Sequence, residues 1–244
     1  MTGQERARNG GGLHADVLDR LGALVAGGEL EPGQVLRADE LGERFGVSRT
    51  VVREAVRVLE SMGLVQSRRR VGVTVAPRER WNVHDPRVIR WRLDGPDRDR
   101  QLQSLSELRA GVEPVAARLA AVRATPEQCG DLVGAVMDMA VYGRSGDLAA
   151  YLEADVQFHR TLLAASGNEM VAALEGAVAE VLAGRTRHHL MPDRPEPRAI
   201  RLHSDVADAV REGDPDAAET AMREILVEAS AAMRAVTGTS PEDG

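Results

Sequence analysis

The sequence predicts a mainly α protein: an N-terminal winged helix-turn-helix of three helices and a β-hairpin wing, followed by an all-α ligand-binding bundle of six to seven helices. Three observations carry this reading. Apolar residues recur at three- and four-residue spacing along most of the chain. Two short β-like stretches, 64–67 and 71–76, stand side by side near the end of the first third. Aromatic residues make up only 2% of the 244 residues, so the core rests on Leu, Val, Ala and Met, which suits helix-on-helix packing.

Residues 1–12 are polar and Gly-rich and read as a disordered arm. Leu13, Val17, Leu18, Leu21, Leu24 and Val25 follow helical spacing until Gly27-Gly28, and Glu31-Pro32-Gly33 makes a turn. A second helix runs from about Ala38 to Phe45 and breaks at Gly46. Ser48 is a good N-cap for a third, reaching about Met62 with Val51, Val52, Ala55, Val56 and Leu59 on its apolar face. The two β-like stretches flank Arg68-Arg69-Arg70, closing a winged helix-turn-helix domain over 13–76. Residues 77–97 read as a linker with a short helix ending at Leu93, its Trp81 and Trp91 acting as packing anchors against both domains. Helices are then expected at 98–123, 126–143, 147–165, 168–190, 197–212 and 215–236, in a sensor and dimerisation domain over 98–236, with 237–244 as a disordered tail.

Charge sorts with this division. The chain carries a net charge of −7 and has Arg but no Lys. Yet seven arginines fall between Arg44 and Arg70 against only Glu54 and Glu60. A local basic patch on an acidic chain is the footprint of a site-specific DNA reader. Ser48, Arg49, Thr50 and Arg53 cluster at the start of the third helix, opposite its Val/Leu stripe. A recognition helix enters the major groove there. Arg49 and Arg53 can each bond guanine O6 and N7 in bidentate fashion, while Ser48 and Thr50 suit phosphate oxygens. Arg68, Arg69 and Arg70 at the wing tip can reach backbone phosphate or the minor groove. A single cysteine, Cys129, fits a reducing cytoplasm, and no apolar run approaches a membrane span.

The stretch from Leu36 to Ala55 resembles the GntR regulators, through Val47-Ser48-Arg49-Thr50-Val51-Val52-Arg53-Glu54-Ala55 and then Leu59-Glu60-Ser61-Met62-Gly63-Leu64-Val65. The resemblance implies DNA contact by Ser48, Arg49, Thr50, Arg53 and the wing around Arg69. Two residues depart from its pattern: Arg37 replaces a Pro, and Arg70 stands where the wing tip has Gly. Both bear on which operator is read.

In the second part Asp155 and His159 are spaced i and i+4, on one helical face. With His203 they make a possible three-ligand site for a divalent cation such as Zn²⁺. The same three side chains could instead contact a polar effector directly, or be buried polar structure. Arg109 lies among Leu105, Leu108 and Val112, so a guanidinium buried there needs an anion: Glu113 at i+4, or an effector. Arg185 and Asn168 are further effector candidates, although Asn168 equally suits a helix cap. His188-His189 reads as surface.

Leu108 to Pro114, Asp155 to His159, Ser166-Gly167-Asn168 and Leu202-His203 also resemble the FadR-like subfamily, whose sensor is the FCD type of C-terminal domain. In the metal-binding branch a further His lies near the end of the last helix; Ile225 occupies that position here. The linker from Arg80 to Trp91 is similar to that of gluconate- and galactonate-responsive repressors. The resemblance therefore implies a cytoplasmic homodimer, not an enzyme, that represses a sugar-acid catabolic operon. It would leave its palindromic double-stranded operator when the sugar acid binds Arg109, Asp155, His159, Asn168, Arg185 and His203. The alternative effector is another small carboxylate, such as lactate or citrate, held through a metal-bridged site.

Overall fold

The computed structural model describes residues 3–191 and 195–237. They form two compact units that divide between Gln101 and Leu102.

The first unit is built on α1 (Gly3–Ala26), α2 (Ala38–Phe45) and α3 (Arg49–Ser61). Helix α1 begins well before the expected Leu13, so an arm over 1–12 is replaced by helix from Gly3 onward. Gln, Glu, Arg and Ala at positions 4–8 favour helix, whereas Gly10-Gly11-Gly12 has no side chains to display a period. The α2–α3 turn closes on Gly46 in the left-handed region, and Ser48 caps α3 by accepting from the Val51 N–H at 3.4 Å. Val52, Ala55, Val56 and Leu59 turn inward against Val17, Leu18 and Leu21 of α1.

The wing strands are β2 (Val65–Arg68) and β3 (Gly72–Val75), in antiparallel register from Val65↔Val75 to Arg68↔Gly72. A third strand, β1 (Val35–Leu36), pairs with β3 and gives the order β1-β3-β2. Two residues are too few to show alternation, which is why the sequence predicts only a hairpin.

Both tryptophans of the segment after the wing are buried in the core of this first unit, so the stretch expected as a linker folds as part of it. The Trp81 indole N–H donates to the Ala76 carbonyl at 3.1 Å, and Trp91 donates to Asp19 at 3.3 Å. Helix α4 (Pro86–Leu93), capped by Asp85, lays the Trp91 ring on Gly22 of α1. A Cβ at position 22 would lie 2.4 Å from that ring. Gly22→Ala is therefore expected to cost about 1–3 kcal/mol through overpacking, read by urea unfolding; an unchanged midpoint would show that the indole can slide aside. Gly63 is also dictated by close approach. It has φ +77°, and a Cβ there would meet the Arg80 carbonyl oxygen at 2.1 Å.

The second unit contains α5 (Arg98–Arg123, from Leu102 onward), α6 (Pro126–Ser145), α7 (Leu148–Ala165), α8 (Glu169–Ala172), α9 (Glu175–Arg187), α10 (Pro197–Glu212) and α11 (Pro215–Thr237). The helix expected over 168–190 is two helices, broken by a turn at Ala173-Leu174 that neither Gly nor Pro marks, and it ends at Arg187. Pro126 follows a capping box on Thr125 and Gln128. The core gathers Ala117, Ala120, Leu132, Phe158, Leu162, Leu202, Val206, Met222 and Ile225. Of the expected tail, 238–244 lies outside the described residues, as does 192–194 in the Pro-rich loop.

Candidate functional site

The first unit presents Ser48, Arg49, Thr50 and Arg53 on the open side of α3, all exposed. Arg49 pairs through Nε with Asp39 Oδ1 of α2 at 2.5 Å, and Arg53 has no ion-pair partner among the described residues. Arg37 is exposed, supplies no side-chain cap to α2, and pairs with Glu40 at 2.9 Å. Arg68, Arg69 and Arg70 are exposed at the wing tip. Arg70 sits at φ 66°, in the left-handed region where Gly is at ease. The basic side chains named for DNA contact therefore lie open to solvent, none folded into the core.

The second unit buries a polar cluster where α5, α7 and α10 supply one face each. Arg109 and Glu113 stand one turn apart on α5, joined by Nε–Oε1 at 2.5 Å and Nη2–Oε2 at 3.2 Å. The structure thus realises the pairing of Arg109 with Glu113. Glu113 is fully buried, and its other contact has no signature in the sequence: Oε2 lies 2.8 Å from His159 Nδ1, too bent for a directed hydrogen bond. Burial alone would push the Glu113 carboxyl up, but Arg109 and His159 hold it down to about 2.

That shift has a sign. An unfolded Glu113 takes up a proton below its ordinary value of 4.5 while the folded one stays ionised until about 2. The contribution is present above 4.5 and lost as pH falls toward 2. Urea midpoints should therefore drop across that window, and Glu113→Gln should flatten this limb; an identical acid limb in the variant would contradict it.

Asp155 faces both histidines. Its Oδ1 is 3.4 Å from His159 Nε2 and 3.3 Å from His203 Nε2. Burial would raise its carboxyl, and the two imidazoles, when protonated and donating to it, bring it far below the usual range instead. His203 Nδ1 lies 2.7 Å from the Ala199 carbonyl, which can only accept, so the proton of a neutral ring belongs on Nδ1. Its Nε2 lone pair then faces a carboxylate oxygen, buried and without a hydrogen-bond partner. Two imidazole nitrogens and a carboxylate oxygen within 4.8 Å of one another form a donor set that fits a divalent cation. Bonds of about 2.0–2.1 Å in a tetrahedron put neighbouring donors roughly 3.4 Å apart, matching both Asp155 contacts. Glu113 behind His159 and the Ala199 carbonyl behind His203 are the outer partners that orient such ligands. The Phe158 ring edges contact both imidazoles, at 5.5 and 4.8 Å between centroids, and Ile225 lies buried in the same core cluster.

Two cavities adjoin the cluster. One of about 350 Å³ is lined by Arg109, Arg185, Val181, Arg223, Leu226 and Met233, among others. A smaller one of about 40 Å³ reaches Asp155, Tyr151, Arg185, Thr186 and His189. Arg185 lines both. It is buried, donates to the Ala229 carbonyl at 3.0 Å and, among the described residues, leaves Nε without a hydrogen-bond partner and has no carboxylate in ion-pair range. Burial lowers its pKa to about 10, which still leaves it charged at neutral pH. Asn168 lies apart: it is exposed and caps α8 by accepting from the Met170 N–H at 3.0 Å. His189 is exposed too, but at the rim of the smaller cavity. Tyr151 was missed, although Tyr151, Asp155 and His159 recur every fourth residue on one helix face.

Residues 13–75 match the bacterial regulatory proteins of the gntR family, and residues 104–228 match the FCD domain. The chain belongs to the GntR family. Its relatives include the galactonate operon transcriptional repressor of Escherichia coli K12, 32% identical over 219 residues that cover 89% of this chain and 95% of that one. A putative L-lactate dehydrogenase operon regulatory protein of the same strain is 32% identical, covering 86% of this chain and 82% of its own. Among solved structures, the Streptococcus agalactiae GntR protein superposes with a TM-score of 0.50 at 28% identity, covering 88% of this chain and 97% of that one. This GntR member is accordingly a transcriptional regulator of FadR-like type with an FCD domain, and not an enzyme. No helix among its described residues is long and apolar enough to cross a membrane.

Proposed function

We propose that this GntR regulator represses a sugar-acid catabolic operon of the galactonate or gluconate kind, and releases its operator when the sugar acid binds the second unit. The observation that carries the reading is Arg185, a buried guanidinium in no ion pair among the described residues, which borders both cavities. Such a charge is one that an anionic effector entering either cavity can pair with. The galactonate repressor among its relatives supports a polyhydroxy acid in particular.

In this reading Arg185 takes the effector carboxylate, assisted by Arg109, whose charge is already shared with Glu113. Ser106 and Ser230 of the larger cavity, with Tyr151 and Thr186 of the smaller, offer partners to hydroxyl groups. Asp155, His159 and His203 would hold a divalent metal, which would supply a Lewis-acidic contact for carboxylate or hydroxyl oxygen. Arg49, Arg53, Ser48, Thr50 and the wing arginines Arg68, Arg69 and Arg70 address the duplex, with Arg37 at the flank. One winged helix makes too small an interface for tight specific binding, so a cytoplasmic homodimer on a palindrome is the working form. A ligand that favours the conformation with mismatched half-site spacing lowers DNA affinity by its differential binding energy. About 1–3 kcal/mol gives roughly 5–150-fold.

The alternative effector, a smaller carboxylate such as lactate bridged through the metal, draws on the lactate-operon relative. A thermal-shift screen of galactonate, gluconate, lactate and citrate, before and after chelation, separates the two. The sugar-acid reading expects a raised Tm with galactonate or gluconate and a matching loss of DNA affinity in an anisotropy titration. No response to either sugar acid, with or without Zn²⁺, would defeat it.

A further inference from the structure

We propose that Asp39 is a positioning residue for DNA readout: it clasps Arg49 so that the guanidinium addresses a base through its terminal nitrogens. The inference rests on the reading of α3 as the recognition helix. Several ion pairs lie in and around this motif, and most are local. Arg37–Glu40 and Arg57–Glu54 each join residues three apart. Asp39–Arg49 joins α2 to α3 across the turn between them, at 2.5 Å, with both side chains more than half exposed.

Its position has a physical logic. Arg49 is the first residue of α3 and Asp39 lies in the first turn of α2. A cation at a helix N-terminus opposes the helix dipole, whereas a carboxylate complements it. Asp39 therefore settles its own helix and offsets the misplaced charge of Arg49. The guanidinium nitrogen nearest the carboxylate is Nε, in an ion pair without a directed hydrogen bond. A carboxylate seated beside Nε favours presenting the Nη edge outward, and two parallel donors are what guanine O6 and N7 accept. Arg53, one turn along, has no such restraint among the described residues. The two arginines should thus differ: Arg49 pre-oriented and strict, Arg53 adaptable.

A carboxylate on a DNA-facing surface also repels phosphate. Asp39 should accordingly weaken binding to arbitrary duplex while sharpening the choice of base. A role in folding alone would move both affinities together.

The test uses full-length protein. Wild type first selects duplexes from a random library, and each base pair of the selected site is then replaced in turn. Fluorescence anisotropy measures the penalty at each position for wild type, Arg49→Ala, Asp39→Ala and Asp39→Glu. The guanine whose penalty vanishes in Arg49→Ala is the one Arg49 reads. Asp39→Ala should shrink that same penalty by roughly three- to fivefold, the upper range for an exposed charge pair. It should also tighten binding to a scrambled duplex, and Asp39→Glu should restore much of the discrimination. A penalty within twofold of wild type in Asp39→Ala would overturn the proposal. So would a lost preference at a cytosine that Arg49→Ala leaves intact, since Asp39 would then be reading a base itself. If wild type enriches no sequence at all, the assignment of α3 as a base reader fails instead, a distinct outcome.

Discussion

Arg49→Ala combined with Arg53→Ala is expected to remove specific operator binding and leave the fold intact. Both side chains are exposed on α3, and neither contributes to the apolar core. Each bidentate contact to a guanine is worth about 1–3 kcal/mol of discrimination. The pair should thus lose at least about 30-fold in affinity for a selected site, from a low-end total of about 2 kcal/mol. The dependence of log affinity on log salt should flatten only if one of the two also neutralises a phosphate, by about one unit of slope for each phosphate left without its cation. Circular dichroism and the unfolding midpoint should match wild type. A double variant that still binds its site within threefold would mean that the duplex is read elsewhere.

The second large effect lies in the other unit. Glu113→Ala strands the Arg109 guanidinium, which is only 4% exposed, in an apolar setting, and removes the carboxylate beside His159 Nδ1. Breaking one side of a buried pair costs about 3–5 kcal/mol, set against a total stability of about 5–15 kcal/mol for a typical domain. Urea denaturation should show that loss, and the variant should melt near or below the growth range of a mesophile. Replacing both partners together, Arg109→Met with Glu113→Leu, should be far milder, because no charge is left uncompensated. If Glu113→Ala costs less than about 1 kcal/mol, well under that range, Arg109 must find another anion on removal of its partner.

Most of the architecture was legible because it rests on periodicity and on punctuation. Val52, Ala55, Val56 and Leu59 announce the buried face of α3, and Gly46, Ser48, Thr125-Pro126 and Gly213 mark ends that hydrogen bonding and left-handed geometry require. What escaped lacks such marks. Strand β1 is two residues long, and the turn at Ala173-Leu174 uses residues at home in either state. The start of α1 hides behind a Gly run in which no face can be seen. The candidate effector site was legible where spacing within one helix reveals it, as with Asp155 and His159 or Arg109 and Glu113. It was opaque where separate helices converge. Nothing in the order of residues says that Glu113 of α5 meets His159 of α7. Nor does it say that Arg185 of α9 borders the cavity that also reaches Asp155 of α7. Asn168 shows the reverse: a polar residue in a suggestive motif is spent locally, on the first turn of its own helix.

The seating of Trp91 on Gly22 bears on how such regulators can be recombined. A fragment cut after Ala76 would strip the indole from α1 and the Trp81 ring from beneath the wing, leaving an uncovered apolar trough on the remaining helices. The portion that could be transplanted onto a foreign sensor must therefore extend through α4 to about Gln101. Any exchange of sensors between such regulators that preserves a working reader has to place its junction downstream of Leu93, whatever the similarity of the two parents upstream.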